Sequence, residues 1–156
     1  MEIFEKHLQQ AIKSLKLAGH ITYVTFPLVN EKRLLLKIFD EVYMSIICSI
    51  NAILHYEYFY KKIKLYKNSQ HNLATFTNKC AKKYSLTNEQ TKIIKDIIEI
   101  NKKYKKSAME FVKRDKLVIL SDNLATQTLD INLINKYLLL AKELVVNVKN
   151  VFEHSS

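Results

Sequence analysis

A single glycine, Gly19, and a single proline, Pro27, stand in a chain of 156 residues. Nothing else in the sequence constrains the fold as strongly. Tight turns draw on glycine, Asn-Gly pairs and proline, because these residues tolerate positive φ or arrive with φ already fixed. A chain without them is poorly equipped for the many reversals of an all-β or α/β fold. The expectation is all-α: an up-and-down bundle of four long helices plus one short helix, forming a single domain over residues 1–156. The same scarcity excludes glycine-rich phosphate loops and dinucleotide fingerprints, which need several glycines at fixed spacing.

Apolar spacing locates the helices. Phe4, Leu8, Ala11, Leu15 and Ala18 recur at helical intervals and predict a first helix that runs to about Phe26, where Pro27 ends or kinks it. Asn30 is the expected N-cap of a second, long helix to about Tyr66. Leu35, Phe39, Val42, Ile46, Ile50, Ile53 and Tyr60 form one stripe of it; Leu36, Tyr43, Ile47 and Leu54 form another. An apolar surface that wide suits a central helix with several neighbours. A short helix is expected over 70–83. Thr87 and Gln90 make a capping box for a fourth helix from Asn88, whose apolar face reads Ile94, Ile97, Tyr104, Ala108 and Phe111. Asp130 caps a last helix carrying Ile134, Leu138, Ala141, Val145, Val148 and Phe152. Between them, residues 113–130 are irregular. The apolar run Leu117–Leu120 there either extends the fourth helix or lies extended against the bundle.

Hydrophobic residues make up 48% of the chain, enough for a packed core. The charge is uneven. Residues 1–60 hold 6 Lys/Arg and 6 Asp/Glu, residues 61–116 hold 16 and 5, and residues 117–156 hold 3 and 4. The middle third thus carries a net charge of +11 within a total of +10. So localised a surplus points to an anionic partner more than to general solubility.

No metal or cofactor is expected. None of the histidines (His7, His20, His55, His71, His154) follows a glutamate by three residues, and His-x-x-x-His and Cys-x-x-Cys spacings are absent. Cys48 and Cys80 sit in apolar patterns and suggest a reducing, cytoplasmic setting. The uncharged stretch Val42–Tyr56 is too short to span a bilayer, so no membrane partner is expected.

The candidate site is a lysine-rich face within 61–116 that binds RNA or DNA without catalysis. Lys61, Lys62, Lys95, Lys102, Lys103, Lys106, Lys113 and Arg114 supply its cations, and Tyr66 and Tyr104 are placed to stack bases. The competing interpretation is a solvated helix face, partly neutralised by Glu99–Lys103 and Glu110–Arg114 pairs. The aromatic run His55 to Tyr60, followed by Lys61-Lys62, reads first as core packing with snorkelling lysines.

In helix order and size the chain resembles the HEPN superfamily, compact helical bundles that include RNases, toxins and nucleotide-binding modules. Two segments, Leu17-Ala18-Gly19-His20 through Leu28 and Lys113-Arg114-Asp115-Lys116 through Asp122, also resemble small archaeal helical proteins. HEPN RNases carry an arginine followed four to six residues later by a histidine. Here Arg33 and Arg114 are followed only by His55 and His154, and Lys64 to His71 merely echoes the spacing. The resemblance therefore implies a catalytically silent bundle. The alternative expectation is a protein-interaction or homodimerising module. It would use the two-striped second helix or the flank Leu133, Leu139, Leu140 and Val146, with a helical protein or a second copy as partner. An RNase or phosphotransferase without a recognisable motif is the third, with His20 near Tyr23 and His71 near Lys67 as its candidate pairs.

Overall fold

A computed structural model describes residues 1–121 and 123–154, apart from the side chain of Ala108. Among the described residues, four long helices and one short one are present, as the periodicity predicts. Helix α1 spans Ile3–His20 and continues through a π-helical turn, Ile21–Thr25, into a last turn, Phe26–Val29. Helix α2 is Leu34–Phe59; α3 is Ser69–Thr75, extended by a π-helical turn Phe76–Cys80; α4 is Asn88–Lys105; α5 is Ile131–His154. The all-α expectation needs correction. Between α4 and α5 lies a three-stranded antiparallel sheet of β1 (Ser107–Lys113), β2 (Lys116–Ser121) and β3 (Thr126–Leu129), in the order β1-β2-β3.

Helix α2 is the axle of the molecule. It packs against α1, α4, α5 and the π-helical turn that extends α3. Its burial runs nearly all round, from Leu35, Phe39, Ile46 and Ile53 on one side to Ile38, Ser45, Ser49 and Ala52 on another. Both helices bury small residues: Ala11, Ser14 and Ala18 on α1, and Ser45, Cys48, Ser49 and Ala52 on α2. Small side chains let the backbones approach, and the Ser45 hydroxyl donates to the Ala11 carbonyl at 2.8 Å.

The chain solves its shortage of glycine by forcing other residues into the left-handed region. Asn30, Lys61, Ser85, Arg114 and Leu124 all have positive φ. Asn30, expected as an N-cap, is instead the C-cap of the first helix, with φ 52° and ψ 37°. Asparagine suits both ends, because its short polar side chain tolerates this conformation. The second helix stops at Phe59 rather than near Tyr66. Lys61 sits at φ 60°, its N–H bonding the Tyr58 carbonyl (2.9 Å), while the Lys62 N–H bonds that of Glu57 (2.8 Å). That pair of bonds is a Schellman motif with lysine in the usual glycine position. Ser85 and Leu86 repeat it, with bonds to Lys82 and Ala81. The expected caps at Thr87–Gln90 and Asp130 are both made: the Gln90 N–H reaches Thr87 Oγ1 at 3.1 Å and the Leu133 N–H reaches Asp130 Oδ1 at 2.8 Å.

Tyr56 from the aromatic run is core. Its ring stacks on Phe152 at 4.2 Å and meets Phe4 edge-on at 5.1 Å, whereas Phe59 and Tyr60 stay about half exposed. His55 stacks on His7 at 5.0 Å, tying α2 to α1. Burial lowers both imidazole pKa values, and the His55 charge lowers that of His7 further. The fold therefore disfavours the charged rings, while the unfolded chain takes up protons near pH 6.5. Stability is unaffected well above that pH and falls as the pH drops through it. A melting temperature measured at pH 7.5 and 5.5 should decline on acidification, and His55→Gln should reduce the decline.

Candidate nucleic-acid interface

Why a sheet forms where a helix extension was one expectation is visible in its register. Lys113 pairs with Lys116, leaving Arg114-Asp115 as a two-residue turn, and Arg114 takes φ 59°. Positive φ at the first central position is what the hairpin turns with matching twist require. Leu117, Ile119 and Ser121 alternate inward, where Leu117 and Ile119 are buried against the core formed with α4. A bulge between Ser107 and Met109 absorbs the change from helix to strand.

The opposite sheet face is the candidate site. Phe111, Val118 and Thr128 pair in one row across the three strands, and Met109, Leu120 and Thr126 in the next. Phe111 is 38% exposed and Met109 is 54% exposed. A cleft of about 590 Å³ opens on this face, lined by Phe111, Val118, Thr126 and Thr128 and, at the hairpin, by Lys113, Arg114, Asp115 and Lys116. Three cations and one carboxylate thus surround an exposed aromatic ring on β1. Among the described residues none of these cations is ion-paired; the expected Glu110–Arg114 pair is absent because Glu110 lies on β1 opposite Ile119.

Comparison with family models, curated proteins and solved structures finds no match to this chain.

The other cations of the candidate site divide between different surfaces. Lys102, Lys103 and Lys106 gather in a smaller cleft of about 240 Å³ with Glu99, Ser121, Asn123 and Ala125, where the end of α4 meets the β2–β3 connection. Glu99 pairs with Lys102 at 3.4 Å rather than with Lys103. Ala125 lines this cleft and Thr126 the hairpin cleft, so the two are neighbours at the start of β3. Their outlying cations, Lys106 and Lys113, flank opposite ends of β1, roughly 20 Å apart at the rise of a strand. Lys95 lies on the exposed side of α4 beside Asp96 and Glu99. Lys61 and Lys62 belong to the Schellman turn that ends α2.

The two tyrosines do not join the cations as stacking platforms. Tyr66 lines a separate cleft with His71, Asn78 and Lys79, its backbone clamped by the Asn72 amide at 2.7 and 2.8 Å. Tyr104 faces a cleft that also holds Asp40 and Glu110, where carboxylates repel phosphate. The residues that sequence reasoning missed are Phe111, taken as the inward face of a helix, and Lys116. The signal was available: Lys113-Arg114-Asp115-Lys116 is a polar break between two short apolar runs.

Nucleophilic chemistry has no footing at the thiols. Burial, with Glu57 adding, pushes the Cys80 thiol up to about 11, and burial also raises Cys48. Among the described residues no group of three or more His, Cys, Asp or Glu side chains gathers as a metal site requires, and no helix is long and apolar enough to cross a membrane.

Proposed function

We propose that the protein is a non-catalytic module binding single-stranded nucleic acid, RNA in the first instance, on the outer face of its sheet. The supporting observation is the cleft in which exposed Phe111 is flanked by Lys113, Arg114 and Lys116. Single-stranded bases present π-faces that stack on an aromatic ring whatever their identity, while ammonium and guanidinium groups follow the phosphates. Thr126 and Thr128 add hydroxyls that can bond sugar or phosphate. The lysine cleft at the other end of β1 offers a second phosphate contact for a strand that turns round the end of the sheet, where the inward-facing Ser121 joins the cleft lining. The resemblance to a HEPN bundle without its RNase residues agrees with binding in place of cleavage.

The test is a titration of fluorescent oligouridylate and of duplex DNA of equal length. Wild-type protein should prefer the single strand, and Phe111→Ala should weaken that binding by about 1–3 kcal/mol, the worth of one stacked base. Equal affinity of the Phe111→Ala variant would remove the sheet face from consideration.

A second reading is self-association through β1, an edge strand whose Met109 and Val112 are exposed. Unpaired edges recruit other strands. The α5 flank contributes less than expected, because Leu140 is buried and only Leu139 and Val146 are exposed. Light scattering at rising concentration separates the readings: a dimer abolished by a charge at Val112 favours the edge.

A further inference from the structure

The cleft that captures Tyr104 has a chemistry of its own. It encloses about 630 Å³ between α2, the end of α4 and the start of β1, and it is lined by Asp40, Tyr43, Met44, Asn101, Tyr104, Lys105, Ser107 and Glu110. Its size falls in the range of small-molecule sites. Two carboxylates and one ammonium leave a net charge of −1; on the same helix as Asp40, Lys37 and Glu41 cancel each other in a pair at 3.2 Å. The decisive residue is Asn101. It is only 5% exposed, it lines the cleft, and its side chain has no hydrogen-bond partner among the described residues. The fully enclosed side-chain polar atoms without a partner are Ser49 Oγ and the Tyr84 hydroxyl, so the Asn101 amide, on a residue otherwise buried, reaches the cleft. Here the open side is the cleft.

We propose that this cleft binds a small organic monocation: a primary ammonium on a compact apolar body. Asp40 and Glu110 receive the ammonium, the Asn101 carbonyl accepts one of its protons, and the rings of Tyr43 and Tyr104 with Met44 take the apolar part. Aromatic faces add attraction for the charge. Asp40 is primed for this. Burial holds its carboxyl above the usual range, with Lys37 and Lys105 opposing and Glu41 and Glu110 adding, and a cation beside it would favour its charged form. Burial, then Asp40 and Glu110, likewise raises Tyr104 and keeps its hydroxyl neutral.

The experiment is calorimetric titration of the full chain with phenethylammonium, its uncharged counterpart 2-phenylethanol, its anionic counterpart phenylacetate, and Nα-acetyl-lysine methylamide as a stand-in for a partner's lysine. The amine should bind about ten-fold or more tightly than the alcohol, as charge-assisted bonds imply, and phenylacetate should not bind. Asp40→Asn/Glu110→Gln, checked for folding by circular dichroism, should lose that advantage. Equal binding of amine and alcohol, or no millimolar binding of the amine, overturns the assignment, and the wild-type comparison stands even if the variant fails to fold. Tighter binding of the lysine analogue than of phenethylammonium overturns the small-molecule assignment in favour of a protein partner.

Discussion

Reversing the three hairpin cations, Lys113→Glu/Arg114→Glu/Lys116→Glu, should cost the protein most of its affinity for single-stranded nucleic acid. Neutralising one phosphate on a single strand contributes about −0.7 to the slope of log affinity against log salt, so three contacts contribute a slope of about −2. Wild-type affinity should therefore drop about 20-fold between 50 and 200 mM salt through these contacts alone. The triple variant should lose at least that factor at the lower salt and show a shallower slope. All three side chains are exposed and are free of ion pairs among the described residues, so their replacement removes a ligand contact without leaving a buried charge behind. The thermal midpoint should stay within a few degrees of wild type. Fluorescence anisotropy at several salt concentrations reads the slope. An unchanged slope would move the interface elsewhere, most directly to Lys102, Lys103 and Lys106.

The largest effect on stability is expected at Phe39→Ala. Phe39 is fully buried on α2, and its ring lies 6.3 Å from that of Tyr137 on α5. Leu35, Ile38, Val42, Ile134 and Leu138 belong to the same core and have no measurable exposure, so little nearby can collapse into the space left behind. Truncating a buried phenylalanine costs about 3–5 kcal/mol, a large share of a domain's stability of roughly 5–15 kcal/mol. The thermal midpoint should fall by about 10–15 °C for a chain of this size. Urea unfolding followed by circular dichroism measures the loss directly. A loss under about 1 kcal/mol would show that α2 is not the axle of the core.

The helices were legible because their signals are local. Periodic apolar residues mark the buried faces of α1, α4 and α5, and the side chains of Thr87, Gln90 and Asp130 cap backbone groups that any helix leaves unpaired. Helix ends without a side-chain signal were not. Lys61 and Ser85 take a conformation that usually advertises itself as glycine, so the end of α2 was misplaced. The sheet was hidden for the same reason. Its hairpin turns on Arg114, not on Asn-Gly, and Leu117-Val118-Ile119-Leu120 is apolar throughout. With Val118 only 9% exposed on the outer face, the two-residue period never appears as alternation of polar and apolar. The scarcity of glycine was a sound guide to the long helices and a misleading one to the hairpin.

The site was legible in part. The charge surplus pointed to the third of the chain that holds the hairpin, and Lys113 and Arg114 lie in its cleft. Composition could not show how a strand redistributes side chains. Once residues 107–113 leave the helix, Glu110 no longer stands one turn before Arg114. Phe111 turns from the core to the surface, while Tyr104, still on α4, is held near Asp40. Positions four apart on a helix share a face, whereas neighbouring positions on a strand point to opposite sides.

Amide chemical-shift mapping with a short oligouridylate puts the interface to the most direct test. The account predicts shifts concentrated at residues 109–118 and 126–128, with smaller ones at 102–106. Shifts confined to α5, to the Asp40 cleft or to the turn at Lys61-Lys62, or no shifts at low salt, would contradict it.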